Sequence, residues 1–445
     1  MHLLPTLLLL PLHGVGSRQD LPLPLPYVVG GAVAALVVSF AVLGLLWRTP
    51  RLLDHGAGTP LPAGLRAVLD GPVLRWTARG AGLLLTALFL VALLGGPDDG
   101  ENPAPGMLYV LLWVGLVPAS LLLGPVWRVL SPLRTAHAVL ARVLRVDGRR
   151  GLVRLPEAVG YWPAAASLLG FVWLELAAPG RTSLPVLQGW VGAYVAVHLV
   201  AALVFGSRWF DRGEGFEVVS DLLGRLAPLG RREDGVLVAR LPLDGIASLR
   251  PAPGLVVVVC LLLGSTMFDS VTSATAYVRW VQSAGVSRAL LDTVVLLGVV
   301  GLVVVAFRLA TGAAARGAGL SRGELPGEMA HSLVPVVVGY LVAHYYSLLV
   351  LEGQRTFALM SDPLGTGADW FSTADLRPSA SLVDTTGVAL LQVVAVVVGH
   401  VLGSLLAHDR AVAVLPQGAV VRGQLPLLLL MLAYTVAGLL LLFAD

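Results

Sequence analysis

Ten stretches of 14 to 22 residues, nearly free of charge, run through this chain: Tyr27–Trp47, Gly80–Leu94, Met107–Leu123, Tyr161–Leu176, Val186–Val204, Gly254–Met267, Leu291–Phe307, Ser332–Leu351, Thr385–Leu406 and Pro426–Leu442. A bilayer core about 30 Å thick takes about 20 helical residues to cross. Open strands are excluded in such runs, because lipid offers no partner to unpaired backbone groups. The fold class is therefore all-α, a polytopic transmembrane helical bundle of about ten spans. The shortest run, Gly254–Met267, needs another turn at one end. Length alone would suggest roughly three soluble domains. Composition overrides that: 56% of residues are hydrophobic and 13% charged, against about 45–50% and about 25% in soluble domains.

The basic residues orient the bundle. There is no lysine, and all 30 basic residues are arginine. With abundant Ala, Gly, Val and Leu, this usage has the character of a GC-rich bacterial genome. The loops after spans one, three, five, seven and nine hold 24 of the arginines. The opposite side holds Arg18, Arg181, Arg279, Arg288, Arg355 and Arg377, together with Asp98, Asp99, Glu101, Glu352, Asp362, Asp369 and Asp375. Cytoplasmic loops carry the Lys/Arg excess. The expected location is thus the bacterial plasma membrane, multi-pass, with both termini extracytoplasmic. A net charge of +3 needs no nucleic acid as partner, because arginines facing anionic lipid account for it. The single Cys260 lies in an apolar run, so neither a disulfide framework nor a Cys-based zinc site is available.

Residues 1–26 read as an extracytoplasmic segment or a signal peptide. Leu3–Leu12 is too short to span a bilayer, Gly14-x-Gly16 is a weak cleavage site, and the basic n-region is missing. Residues 27–445 form a single transmembrane domain with cytoplasmic loops 124–160 and 205–253. In the first loop, Trp127–Arg145 places Leu/Val and Arg on separate helical faces, as an interfacial amphipathic helix does. The second loop opens with FDRGEGFEVVSDLLGRLAPLG, read as another amphipathic helix stopped at Pro228-x-Gly230. Gly235–Leu241 follows as a short strand.

The sequence holds no HExxH, Walker loop, paired CxxC or dinucleotide fingerprint. Gly319–Gly323 fits GxSxG but lacks the strand that a nucleophile elbow requires. The informative residues are ionisable groups within apolar spans, which usually face a bundle interior or a cavity. His198 lies in span five. Tyr340, His344 and Ser347 share one face of span eight. Span nine carries His400, Ser404 and His408, with Gly399 and Gly403 forming a GxxxG step that permits close helix approach. His331 and Glu352 mark the ends of span eight, and Asp269, Asp384 and Asp409 lie near span ends. The candidate catalytic residues are His344, His400, Asp269 and Asp409. The candidate ligands of a divalent metal ion are His331, His344, His400 and His408. His344 and His400 are expected to line a water-reached cavity, supported by Tyr340 or Ser347 and by Ser404. By helical rise, His344 lies roughly 10 Å and His400 roughly 20 Å below the outer surface. Alternatively, each histidine bonds a backbone or hydroxyl group of a neighbouring helix.

Several segments resemble a family of bacterial membrane proteins named fenitrothion hydrolase. They are HGVGSRQDLPLP at 13–24, LGPVWRVLSPLRT at 123–135, SRWFDRGEGFEVVSDLLGRLAP at 207–228, LLGSTMFDSVTS at 262–273 and GHVLGSLLAHDRAV at 399–412. They spread over almost the whole chain. The resemblance implies hydrolysis of an organophosphorus ester, a small hydrophobic substrate, and carries no established catalytic residues. Metal-bound water would serve such a reaction as nucleophile. Two other activities fit the residues. A transporter or metal-handling permease fits the five-plus-five parity of the spans, which suits an inverted repeat. A redox protein holding haem b would need paired imidazoles at matched depth.

Overall fold

The computed structural model describes residues 20–52, 58–317 and 323–443. Leu3–Leu12, and with it the signal-peptide reading, lies outside the described residues, as does most of the GxSxG motif.

Among the described residues ten helices are long and apolar enough to cross a membrane, and they make this a multi-pass membrane protein. They are α1 Leu25–Leu46, α2 Ala63–Gly95, α3 Ala104–Leu123, α4 Glu157–Leu176, α5 Leu184–Phe205, α6 Leu255–Ser273, α7 Arg288–Arg316, α8 Leu325–Leu359, α9 Thr385–Val414 and α10 Gln417–Leu442. Each coincides with one apolar run. The short sixth run gains its missing turns at the Ser273 end. α8 and α9 outgrow theirs, with 35 and 30 residues. At 1.5 Å per residue both exceed the hydrocarbon thickness. α2 is interrupted at Asp70–Gly71, and Pro72 opens its longer part. A proline costs least there, in a first turn whose amide has no intrahelical partner.

α6 is the most deeply buried of the ten, and α8 comes next. Leu and Val surround α6 on every side, as expected of a helix with no solvated face. The outer helices instead expose Val37, Val38, Leu45, Val197, Val200, Leu302 and Val305, side chains suited to lipid. α8 and α9 touch backbone to backbone at small residues. A Cβ on Gly339 would stand 2.4 Å from the Ala395 carbonyl oxygen, and one on Gly399 2.6 Å from that of Pro335. The GxxxG step of α9 therefore has α8 as its partner.

The arginine-rich face carries the only strands among the described residues, β1 Thr59–Pro60, β2 Leu229–Arg231 and β3 Leu237–Ala239. They form an antiparallel sheet in the order β1-β3-β2, with Thr59 and Leu229 both opposite Ala239. The strand expected at Gly235–Leu241 is β3.

Both loop helices differ from expectation. Trp127–Arg145 divides into Trp127–Leu130 and Pro132–Val143, because Pro132 cannot continue a helix and Ser131 caps the new start through Arg134 N. The second piece buries Leu133, His137 and Ala141 while exposing Val139 and Val143, as a helix at a lipid boundary does. The segment after Phe210 is packed into the bundle rather than lying along its surface. Its helix Gly215–Gly224 is buried on nearly every side and already ends at Gly224. Phe216 packs edge-on against Trp113 of α3 and Phe171 of α4. Glu214 and Glu217 give the segment an amphipathic look, yet both are satisfied inside. Glu214 accepts from Trp127 Nε1, Tyr194 Oη and the amides of Phe216 and Glu217. Glu217 is clasped by Arg134 through two nitrogens.

Candidate functional site

Asp269 ends the apolar part of α6, and α8 lies beside it. His344 Nε2 donates to Asp269 Oδ2 over 2.8 Å, and the Tyr345 hydroxyl donates to the same oxygen over 3.3 Å. All three residues are buried. An ionisable pair in the interior of a membrane bundle is costly unless it is well bonded, and is a functional site by default.

Asp269 and Tyr345 stand in the wall of a cavity of about 590 Å³ on the acid-rich face. Its volume lies within the usual range of small-molecule sites, roughly 300–1,000 Å³. Asp98, Asp99, Glu175, Asp269, Asp292 and Glu352 line it, against Arg181, Arg288 and Arg355. Six carboxyl groups against three guanidiniums give the wall an excess of acids, with Arg288 paired to Asp292 and Arg355 to Glu352, and low-dielectric walls focus the field of any charge left over. His344 stands behind Asp269 rather than in the wall, so the carboxylate is the group presented to a ligand. Part of the rim is α3, which runs as a π-helix from Met107 to Val114. Such segments are frequent at functional sites. This one holds Tyr109 in the wall, its hydroxyl bonded to the Arg181 carbonyl. On the helix Thr275–Ser283, Tyr277 donates to Asp292 over 2.7 Å. Burial, reinforced by that carboxylate, pushes the Tyr277 phenol above its ordinary range.

The other candidate residues stand elsewhere. His400 packs edge-on against Tyr340, one turn deeper than His344. Its Nδ1 donates to the Val396 carbonyl, and its buried Nε2 has no hydrogen-bond partner among the described residues. Tyr340, one expected support of His344, donates instead to the Tyr434 carbonyl, and His400 bonds the Val396 backbone rather than Ser404. His331 donates from Nδ1 to the Glu328 carbonyl near the arginine-rich face. Beside it Arg410 pairs with Glu328 at 3.2 Å. His408 Nε2 donates to the Trp47 carbonyl. Asp409 accepts from Trp47 Nε1 and from the amides of Arg51 and Leu52, fastening the turn after α1. Asp384 caps α9 through Gly387 N. His198 is fully satisfied: Trp209 Nε1 donates to Nδ1, so Nε2 carries the proton given to Ser167 Oγ.

The structure thus joins Asp269 with His344 and disperses His331, His400, His408 and Asp409. Among the described residues no three His, Cys, Asp or Glu side chains are grouped to hold a metal ion, so the donor set does not fit the expected divalent metal. Sequence reasoning passed over Glu175, Asp292 and Tyr345. A lone carboxylate inside the fourth apolar run was the available signal for Glu175. A tyrosine beside a span histidine was the signal for Tyr345.

No family model, curated protein or solved structure matches the chain, so its function is read from the site's own geometry.

Proposed function

We propose that this protein is a proton-coupled transporter of a small cation in the bacterial plasma membrane. The acid-rich vestibule faces outward, and Asp269 is the point of cation or proton exchange. The observation that carries this reading is the Asp269–His344 contact in the wall of a net-acidic cavity. A carboxylate that faces water on one side and an imidazole on the other can trade a proton for a cation, and the imidazole can receive that proton. Carboxylate and histidine chains serve as proton relays in pumps and transporters. Below the pair, Tyr340 and then His400 continue a polar line between α8 and α9. The unpartnered His400 Nε2 supplies a buried proton acceptor along that line.

The test is electrical. Purified protein in liposomes on a solid-supported membrane is exposed to pH jumps and to jumps of Na⁺, K⁺, Mg²⁺, Mn²⁺ and Zn²⁺. The wild type should give a transient current with at least one cation that depends on pH, and Asp269→Asn should abolish it. No current from the wild type, or an undiminished one from the variant, rejects the reading.

The organophosphorus hydrolysis that the resemblance implies supplies a second reading at the same residues. The cavity has the volume for a small ester, and Asp269 would take the proton of a water whose oxygen attacks phosphorus as the aryloxide leaves. Lacking a fitting metal cluster, this chemistry would rest on the carboxylate alone. Release of nitrophenolate from a nitrophenyl phosphotriester, abolished by Asp269→Asn, would favour it over transport.

A further inference from the structure

Far from Asp269, on the arginine-rich face, a second cavity of about 290 Å³ is lined by Arg212, Arg225, Arg231, Arg232, Arg240 and Arg250. Glu233 and Asp244 are the acids in its wall. Several of the guanidiniums are spoken for. Arg225 pairs with Asp221, Arg231 with Asp70, Arg232 with Asp234 and Arg250 with Glu233. Arg212 and Arg240 are held differently.

The Arg212 guanidinium lies over the Tyr161 ring, 4.3 Å from its centroid, and its buried Nη1 has no hydrogen-bond partner among the described residues. Arg240 follows β3, and its head is seated in a slot between two glycines. A Cβ on Gly230 would stand 2.1 Å from Arg240 Cζ, and one on Gly245 2.4 Å from it. Its Nη2 donates to the Arg225 carbonyl, while its buried Nε is unpartnered among the described residues. A cationic head fixed by packing rather than by a carboxylate keeps its donors for something else. Burial, and next the neighbouring Arg225 charge, hold Arg240 below the usual guanidinium value even with Asp244 nearby. That is the direction an anion would reverse.

We propose that this cavity binds a phosphate group, with Arg212 and Arg240 as its principal ligands. Guanidinium groups offer planar, paired donors that match phosphate oxygens. Location adds to the case. Tyr161 lies at the start of α4, and Leu249 and Arg250 lie just before α6, so the cavity sits at the arginine-rich ends of two spans. Basic pockets between membrane helices on that side are where lipid headgroups bind. The phosphate therefore comes either from an anionic phospholipid or from a free phosphate compound, and the volume suits one or two phosphate groups.

Full-length protein decides the matter in two arms. In nanodiscs of phosphatidylcholine, pyrophosphate binding is measured by calorimetry. In detergent, retained phosphatidylglycerol is counted by native mass spectrometry. The wild type should bind in at least one arm. The pyrophosphate arm alone identifies a soluble ligand, and the lipid arm alone identifies a headgroup. Arg212→Gln and Arg240→Gln should each weaken that binding at least tenfold, whereas Arg150→Gln, an exposed change on the same face, should leave it within twofold. Melting in anion-free phosphatidylcholine discs reports folding. If Arg240→Gln fails to fold, Arg212→Gln decides, because its head rests on one ring. Absence of wild-type binding in both arms, or wild-type affinity in a folded Arg212→Gln, overturns the proposal.

Discussion

Asp269 Oδ2 and His344 Nε2 lie 2.8 Å apart, although 75 positions separate them in the chain. The two halves of this contact are not equivalent. Asp269→Asn leaves a neutral imidazole beside a neutral amide, with little uncompensated polarity. His344→Ala leaves a buried carboxylate with one fewer donor, which costs about 1–3 kcal/mol. In detergent melts the alanine variant should therefore unfold at the lower temperature, with Asp269→Asn within about 1 kcal/mol of wild type. The opposite order would mean that the imidazole, not the carboxylate, carries the charge of the pair.

The arginine asymmetry predicts an orientation that reporter fusions can read. Fusions after Arg145 and Arg232 should report cytoplasm, and fusions after Asp99 and Asp369 the outer side. Two reversed reporters would invert the vestibule and turn the proposed transporter the other way round.

α8 and α9 approach so closely at Gly339 that a single methyl has no room, its Cβ falling 2.4 Å from the Ala395 carbonyl. Gly339→Ala should destabilise by about 1–3 kcal/mol, the usual cost of overpacking. Gly301, on the outer surface of α7, has nothing within 4 Å of a built Cβ, and Gly301→Ala serves as the neutral control. Equal melting of the two variants would show that the helix pair gives way more easily than its backbone contact implies.

How far the sequence reveals this protein depends on the range of each interaction. The spans were legible because a run free of charge has no other home, and span six could be seen to need lengthening. The ends of α8 and α9 were not, because helices continue beyond lipid with residues that no apolar rule selects. Asp269 and His344 were legible as residues and invisible as a pair, since no local periodicity connects positions 75 apart. His408 and Asp409 have the same chemistry by residue type, yet they serve to hold Trp47, Arg51 and Leu52. Only the fold of α1 against α9 could say so. The helix Gly215–Gly224 misled for a related reason. Its carboxylates at helical spacing resemble a solvated face until Trp127, Arg134 and Tyr194 arrive from other elements to bind them.

That buried helix supplies the last prediction. Glu217 is almost fully buried, its side chain 2% exposed, and Arg134 clasps both of its carboxylate oxygens while also reaching Asp211. Arg128 lies farther off, with Nε 3.5 Å from Glu217 Oε1. Arg134→Met removes the clasp and leaves the carboxylate in place. Breaking a buried pair from one side costs about 3–5 kcal/mol, because the remaining charge has lost its solvation and its partner together. Glu217→Met removes the charge that needed a partner, and Arg134, 18% exposed against 2% for Glu217 and still beside Asp211, tolerates the loss better. The double variant should therefore be more stable than Arg134→Met alone, a non-additivity that a double-mutant cycle in detergent melts measures directly. Additive losses would mean that the clasp contributes nothing beyond its separate side chains, and that helix Gly215–Gly224 is held in the bundle by Phe216 and its apolar neighbours alone.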